Sequence, residues 1–177
     1  ADDIIATLVQ QRGEVPVVIV TGDKDLLQLI DKNVWCLDTM KGEWGAEKKA
    51  FDKFGVKPEW IPIVQAISGD ATDHIPGIPG LGPKTAQKLV SQFGNLENIF
   101  LEAQKSKESS NKNFPVQGKK LEILLENQDS AYLSLKLVSL RKDVPLSLAL
   151  NDLVLTSPNT LMLMELGKNL GFGNIVQ

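Results

Sequence analysis

The sequence predicts an α/β protein: a partial parallel sheet with helices over residues 1–45, a helical subdomain over 46–140, and a C-terminal segment, 141–177, whose last helix packs back on the core. Three observations carry this. Short apolar runs alternate with helical periodicity at the front of the chain, as in an α/β layer. From Ala46 onward the period is helical throughout. Between the helices, 69–86 joins two aspartates to a glycine-proline loop that runs into Lys84 and Thr85.

Taken in order, Ile4, Ile5, Leu8 and Val9 repeat at helical spacing behind Asp2 and Asp3, and Gly13 stops the helix. The run 16–20 reads as a strand buried on both faces of a parallel sheet. Leu26, Leu27, Leu29 and Ile30 form a short helix, 34–37 the next strand, and Gly42 and Gly45 a turn. Phe51 and Phe54 belong to a helix ended by Gly55. Pro58 opens another that carries Trp60, Ile61, Val64 and Ile67. Ala86, Leu89 and Val90 mark a helix ending near Gly94, and a short one follows over 96–101. The polar stretch 105–120 reads as a loop, 119–126 and 130–140 as helices, and 160–170 as a last amphipathic helix.

The chain has 177 residues with 42% hydrophobic content, enough for a substantial core. A net charge of −3 argues against a uniformly basic nucleic-acid binder, yet is compatible with one whose acids gather at a metal site. The single cysteine, Cys36, excludes an internal disulfide and reads as a small core residue. No apolar run is long enough to cross a bilayer, and a cytoplasmic location is expected. The chain opens on Ala-Asp-Asp rather than Met, so a segment upstream is expected.

Three acidic groups stand out: Asp2 with Asp3, Asp23 with Asp25, and Asp70 with Asp73. Each pair alone has a structural explanation, as a helix cap or a turn. Together they suggest a shared site, because Asp23 and Asp25 follow a strand, and ligands bind outside the carboxyl ends of parallel strands. If the preceding helix runs through them, Asp70 and Asp73 share one face. Clustered carboxylates repel unless cations occupy the site, and all-oxygen ligands suit Mg²⁺ or Mn²⁺. Two such ions are an apparatus for phosphodiester hydrolysis.

Lys24 either has a site role, neutralising this charge or touching a scissile phosphate, or is a solvated turn residue, and the two readings weigh equally. His74 reads as a hydrogen-bonding loop residue. Gly77, Gly80 and Gly82 leading to Pro83, Lys84 and Thr85 fit a helix-hairpin-helix contact with a duplex phosphate. Carbonyls of the same hairpin could hold a monovalent cation, and Lys88 extends the face. Lys105, Lys107, Lys112, Lys119 and Lys120 form a second patch or, the preferred reading, a solvated loop.

In this order Ala-Asp-Asp, Thr-Gly-Asp-Lys-Asp and Gly-Asp-x-x-Asp-x-Ile-Pro-Gly-x-Pro-Gly-x-Gly-x-Lys-Thr-Ala resemble the 5′-nuclease (flap endonuclease) family, and within it the 5′-3′ exonuclease domain of bacterial DNA polymerase I. The likeness covers most of the chain and weakens after about residue 150. It implies a PIN-like, Rossmann-like core followed by a helix-three-turn-helix element. Asp2 and Asp3 would belong to a first metal site, and Asp23, Asp25, Asp70 and Asp73 would complete a second, some through water. The hairpin 77–82 with Lys84 and Thr85 would grip duplex DNA and hold K⁺. The implied activity is structure-selective cleavage of DNA with 5′ ends or flaps by two Mg²⁺ or Mn²⁺ ions, in DNA replication and repair, with a covalently linked polymerase domain in the parent protein. Two departures stand out. The family has Asn in place of His74, and its acidic residues and arch upstream of Ala-Asp-Asp are not in this chain, which corresponds to an N-terminally truncated nuclease domain. The alternatives are a non-catalytic duplex DNA-binding module and, ranked lower, a haloacid-dehalogenase-type phosphatase, whose Asp-x-Asp spacing Asp23 and Asp25 share.

Overall fold

A computed structural model describes residues 1–172 other than 110, 112 and 149. Helix α1 (Asp2–Gln11) buries Ala6, Thr7 and Val9. Strand β1 (Val17–Val20) pairs in parallel with β2 (Val34–Asp38), Val17 opposite Val34 and Val20 opposite Leu37. Parallel strands need a crossover of about a dozen residues. Here it is 21–33, with a 3₁₀ turn at Asp25–Leu29 that buries Leu26, Leu27 and Leu29. Strand β3 (Glu43–Gly45) runs back antiparallel along β2, giving the order β1-β2-β3.

Two expectations change here. Only Ile19 of β1 is buried, while Val18 and Val20 are 45% and 63% exposed, so the strand is covered on one face rather than two. Of the two glycines read as a turn, only Gly42 turns, at φ 66°. Gly45 sits within β3 opposite Cys36, where a Cβ would stand 3.1 Å from the Cys36 Cβ, so glycine there serves strand packing. Cys36 is buried as expected, and burial pushes its thiol up to about 11.

Helix α2 (Glu47–Phe54) ends on left-handed Gly55, and a 3₁₀ turn at Pro58–Trp60 leads into α3 (Ile61–Ser68). Then follow α4 (Pro83–Phe93), α5 (Leu96–Ser109), α6 (Lys119–Glu126) and α7 (Gln128–Val138). α5 runs well past the expected 96–101 because polar residues at helical spacing support it: Lys105 pairs with Glu102 at 2.7 Å and Gln104 with Glu108 at 2.9 Å. The stretch read as a loop is therefore helical through Ser109, and Lys112 lies outside the described residues.

α3 organises the core. Ile61, Val64, Ala66 and Ile67 are all buried, and the helix packs on α4 and α7, so it is apolar nearly all round. Its one buried polar side chain is Gln65.

The chain divides into two compact units, Ala1–Pro145 and Leu146–Gln177. The first holds every element named so far. The second contains a 3₁₀ turn at Leu150–Asp152 and α8 (Thr160–Leu170), the last helix the sequence predicts. The Asn159 side chain caps it by accepting from the Met162 N–H at 3.1 Å.

Candidate metal centre and hairpin

The expected helical continuation through Asp70 and Asp73 does not occur. α3 stops at Gly69, whose φ of 73° turns the chain, and Asp70 bridges to Ile75 through two backbone hydrogen bonds of 3.0 and 2.8 Å. The loop 70–75 brings the two carboxylates together instead. Oxygens of Asp25, Asp70 and Asp73 lie within 4.8 Å of one another. Asp25 opens the 3₁₀ turn beyond the carboxyl end of β1, the position where ligands bind in parallel sheets.

Gln65 joins two of these acids. Its Nε2 donates to Asp25 Oδ1 at 2.7 Å and to Asp70 Oδ2 at 3.3 Å, while its Oε1 is buried with no partner among the described residues. Sequence reasoning missed this residue. The available signal was one amide inside an otherwise apolar helix, five residues before Asp70.

Lys24 supplies the positive charge. Its ammonium lies 2.5 Å from Asp70 Oδ2 and 3.7 Å from Asp73 Oδ2, so the pairing with a site carboxylate that the sequence left open is realised. The hydrogen bond to Asp70 raises the Lys24 pKa. Burial pushes the Asp70 carboxyl up, but Lys24, the Thr72 amide and Gln65 outweigh it and hold the group below its ordinary value. Asp25 goes the other way: burial raises it, against the Gln65 hydrogen bond, and the neighbouring charges of Asp23 and Asp73 add to the rise. A dense set of carboxyl oxygens, one of them destabilised as an anion, fits a hard divalent cation.

The remaining predicted acids are distributed around this triad. Asp2 lines the same cavity of about 360 Å³ as Asp25, Gln65, Asp73 and His74. Asp3 is not one of the three acids whose oxygens meet, and its Oδ1 accepts from the Arg141 N–H at 2.9 Å, tying α1 to the segment after α7. Asp23 makes a local turn just ahead of the 3₁₀ turn, its Oδ1 accepting from the Asp25 N–H at 2.9 Å, and it faces a second cavity with Lys24. His74 has φ 55°, a left-handed conformation that His tolerates better than most residues.

The hairpin hangs from the same loop. Gly77 has φ 60°, and a Cβ there would stand 2.2 Å from the Gly69 nitrogen, so these two backbones meet as only glycine allows. α7 pins this point: the Gly77 N–H donates to Ser134 Oγ at 3.1 Å, and Ser130 Oγ donates to the Gly77 carbonyl at 2.8 Å. Gly80 and Gly82 face open space, and among the described residues nothing accepts from their amides. Pro83 begins α4, with Lys84 and Lys88 exposed on its first two turns and Thr85 half-buried.

Among the described residues no helix is long and apolar enough to cross a membrane. Two family models match the chain: a 5′-3′ exonuclease N-terminal resolvase-like domain over residues 1–59, and a 5′-3′ exonuclease C-terminal SAM fold over 56–161. DNA polymerase I of Rhizobium leguminosarum is 41% identical over 179 residues, covering all of this chain and 17% of the relative. A 5′-3′ exonuclease of Aquifex aeolicus is 38% identical over 162 residues, covering 90% of this chain and 51% of the relative. The chain thus spans about half or less of the relatives' lengths. A bacteriophage T5 D15 flap endonuclease, solved as a pseudo-enzyme-product complex with DNA and metal ions, shares the fold at a TM-score of 0.65 and 23% identity, over 78% of this chain and 49% of its own. The chain belongs to the 5′-3′ exonuclease family.

Proposed function

We propose that this chain is the metal-holding and duplex-gripping part of a structure-selective 5′-3′ exonuclease and flap endonuclease acting on DNA. The observation that carries the reading is the convergence of Asp25, Asp70 and Asp73 at the carboxyl end of β1, on the same loop as an open glycine hairpin. Asp25, Asp70 and Asp73, with Asp23 two residues before Asp25, hold one Mg²⁺ or Mn²⁺, and Asp2 across the shared cavity, with Asp3 next to it in sequence, contributes to another. Bound ions of this kind supply an activated water and stabilise the leaving oxygen of a phosphodiester. Gln65 orients two of the ligands, and Lys24 neutralises excess charge and meets the phosphate. Gly80 and Gly82 hold the duplex backbone through free amides, Gly77 fixes the hairpin through its bonds to Ser130 and Ser134, and K⁺ sits on the hairpin carbonyls with Lys84, Thr85 and Lys88 alongside.

DNA with 5′ ends or flaps is the substrate class, a cytoplasmic setting follows from it, and the relatives named DNA polymerase I suggest a linked polymerase domain. The test is cleavage of a 5′-labelled flap duplex by the full-length protein with Mg²⁺. Asp70→Asn removes charge stabilisation worth several kcal/mol and lowers the rate on the order of a hundredfold or more. Undiminished cleavage would overturn the assignment.

A further inference from the structure

Beside the acidic triad lies a cluster of lysines. Lys24, Lys41, Lys49 and Lys53 line one small cavity together with Gly22 and Asp38. Gly22 follows β1 and Asp38 ends β2, so this cavity too opens at the carboxyl end of the parallel pair. Lys49 and Lys53 are four apart on α2 and share its face.

Three of the four ammonium groups are compensated: Lys24 by Asp70, Lys41 by Asp38 at 3.6 Å, and Lys49 by Glu43 at 2.9 Å. Lys53 has no carboxylate partner among the described residues, only the Phe54 ring at 5.9 Å. Burial, and then the charges of Lys24, Lys41 and Lys49, hold its pKa below the usual lysine value. The cavity's carboxylates are Asp23 and Asp38, and the Asp38 oxygens are already taken by the amides of Met40 and Lys41 at 3.1 and 3.2 Å and by the Lys41 ammonium. Counted with Asp70 and Glu43, the four lysines meet four carboxylates, so what favours an anion here is not net charge but the one ammonium, that of Lys53, left without a carboxylate among the described residues. Lys53 also borders the neighbouring recess that contains Gln65 and Asp70, which places it between the two charge clusters.

We propose that Lys53, with Lys49 and Lys41, forms a phosphate subsite that takes a DNA backbone phosphate next to the one held at the acidic triad. It rests on the DNA reading above and deepens it. Lysine suits this role as a compact point charge that binds phosphate without reading bases. The subsite fixes how far the strand advances past the metal centre, while the hairpin holds the duplex elsewhere.

The experiment measures binding of a 5′-flap duplex by fluorescence anisotropy, in EDTA, with the full-length protein. A series of DNAs each carries one neutral methylphosphonate in the strand near the flap junction. For the unaltered protein, one position weakens binding several-fold. In Lys53→Ala that penalty disappears, and the slope of log K against log salt shrinks by about 0.9 for a duplex phosphate, or about 0.7 for a single strand. Lys84→Ala, on the hairpin, loses affinity but keeps the methylphosphonate penalty. Equal penalties at every position in the unaltered protein and Lys53→Ala, with an unchanged salt slope, would overturn the subsite while leaving the DNA reading standing. Absence of flap binding by the unaltered protein would overturn both.

Discussion

The Lys24 ammonium lies 2.5 Å from Asp70 Oδ2 and 3.7 Å from Asp73 Oδ2, in the midst of the carboxylates that would hold a divalent cation. A side chain in this position balances the acidic site and competes with the ion for the same oxygens.

Lys24→Met therefore tightens Mn²⁺ binding in the absence of DNA, read by electron paramagnetic resonance of the free ion. It also destabilises the metal-free protein near neutral pH, by no more than about 1 kcal/mol for a partly solvated pair. Asp70 is held below its ordinary 3.8 and Lys24 above its ordinary 10.5. The pair's contribution is thus complete between those values. It is lost as pH falls below 3.8 through the folded Asp70 value, or rises above 10.5 through the folded Lys24 value. Melting curves of the two proteins should converge in acid.

Asp25→Asn separates stability from function. Burial raises the Asp25 pKa above 3.8, so the folded state binds a proton more readily than the unfolded one, and ionising Asp25 costs stability as pH rises through that window. At pH 7 the Asn variant melts higher, by about 2–4 °C per kcal/mol recovered, and loses flap cleavage. Below pH 3.8 the difference in melting fades. A lower melting temperature at pH 7 would contradict this account.

Gln65→Leu keeps the volume of the buried side chain and removes both its hydrogen bonds and its orphaned Oε1. Loss of a group that orients metal ligands costs about 10–100-fold in metal affinity. The variant should fold normally by circular dichroism and bind Mn²⁺ correspondingly more weakly. Unchanged affinity would reduce Gln65 to a core residue.

Two glycines of the hairpin should behave oppositely. Gly77→Ala meets the Gly69 nitrogen at 2.2 Å in a left-handed conformation that alone costs about 1–2 kcal/mol, so thermal stability collapses. Gly82→Ala faces open space at ordinary φ, leaves the melting temperature unchanged, and weakens duplex binding by crowding the exposed surface.

The elements legible in the sequence were those whose signal is local. Proline at a helix start placed α4, and helical spacing ahead of Gly94 placed its end. Apolar runs bounded by turn residues placed β1 and β2. β3 was missed because its three residues, Glu43–Gly45, carry no period of their own and exist only by pairing with β2. α5 was cut short because its second half is mostly polar: only Ala103 and Ser106 are buried there, and i,i+3 and i,i+4 pairs on the exposed face support the rest. The sheet's single covered face was equally unreadable, since a run of valine and isoleucine is the same string whether one face or two are packed.

For the site the division is sharper. The residue types, their order and the stretch 69–86 are properties of the chain, and from them alone came the acids, the glycine hairpin and the family likeness. Only the tertiary structure decided which acids meet. Asp70 and Asp73 come together through a turn rather than a helix, because Gly69 and Gly77 let two backbones touch. Asp25 joins them because a parallel crossover delivers the end of β1 to that turn. Gln65, Lys24 and the lysines of α2 gain their roles from distance in space, which no spacing along the chain encodes.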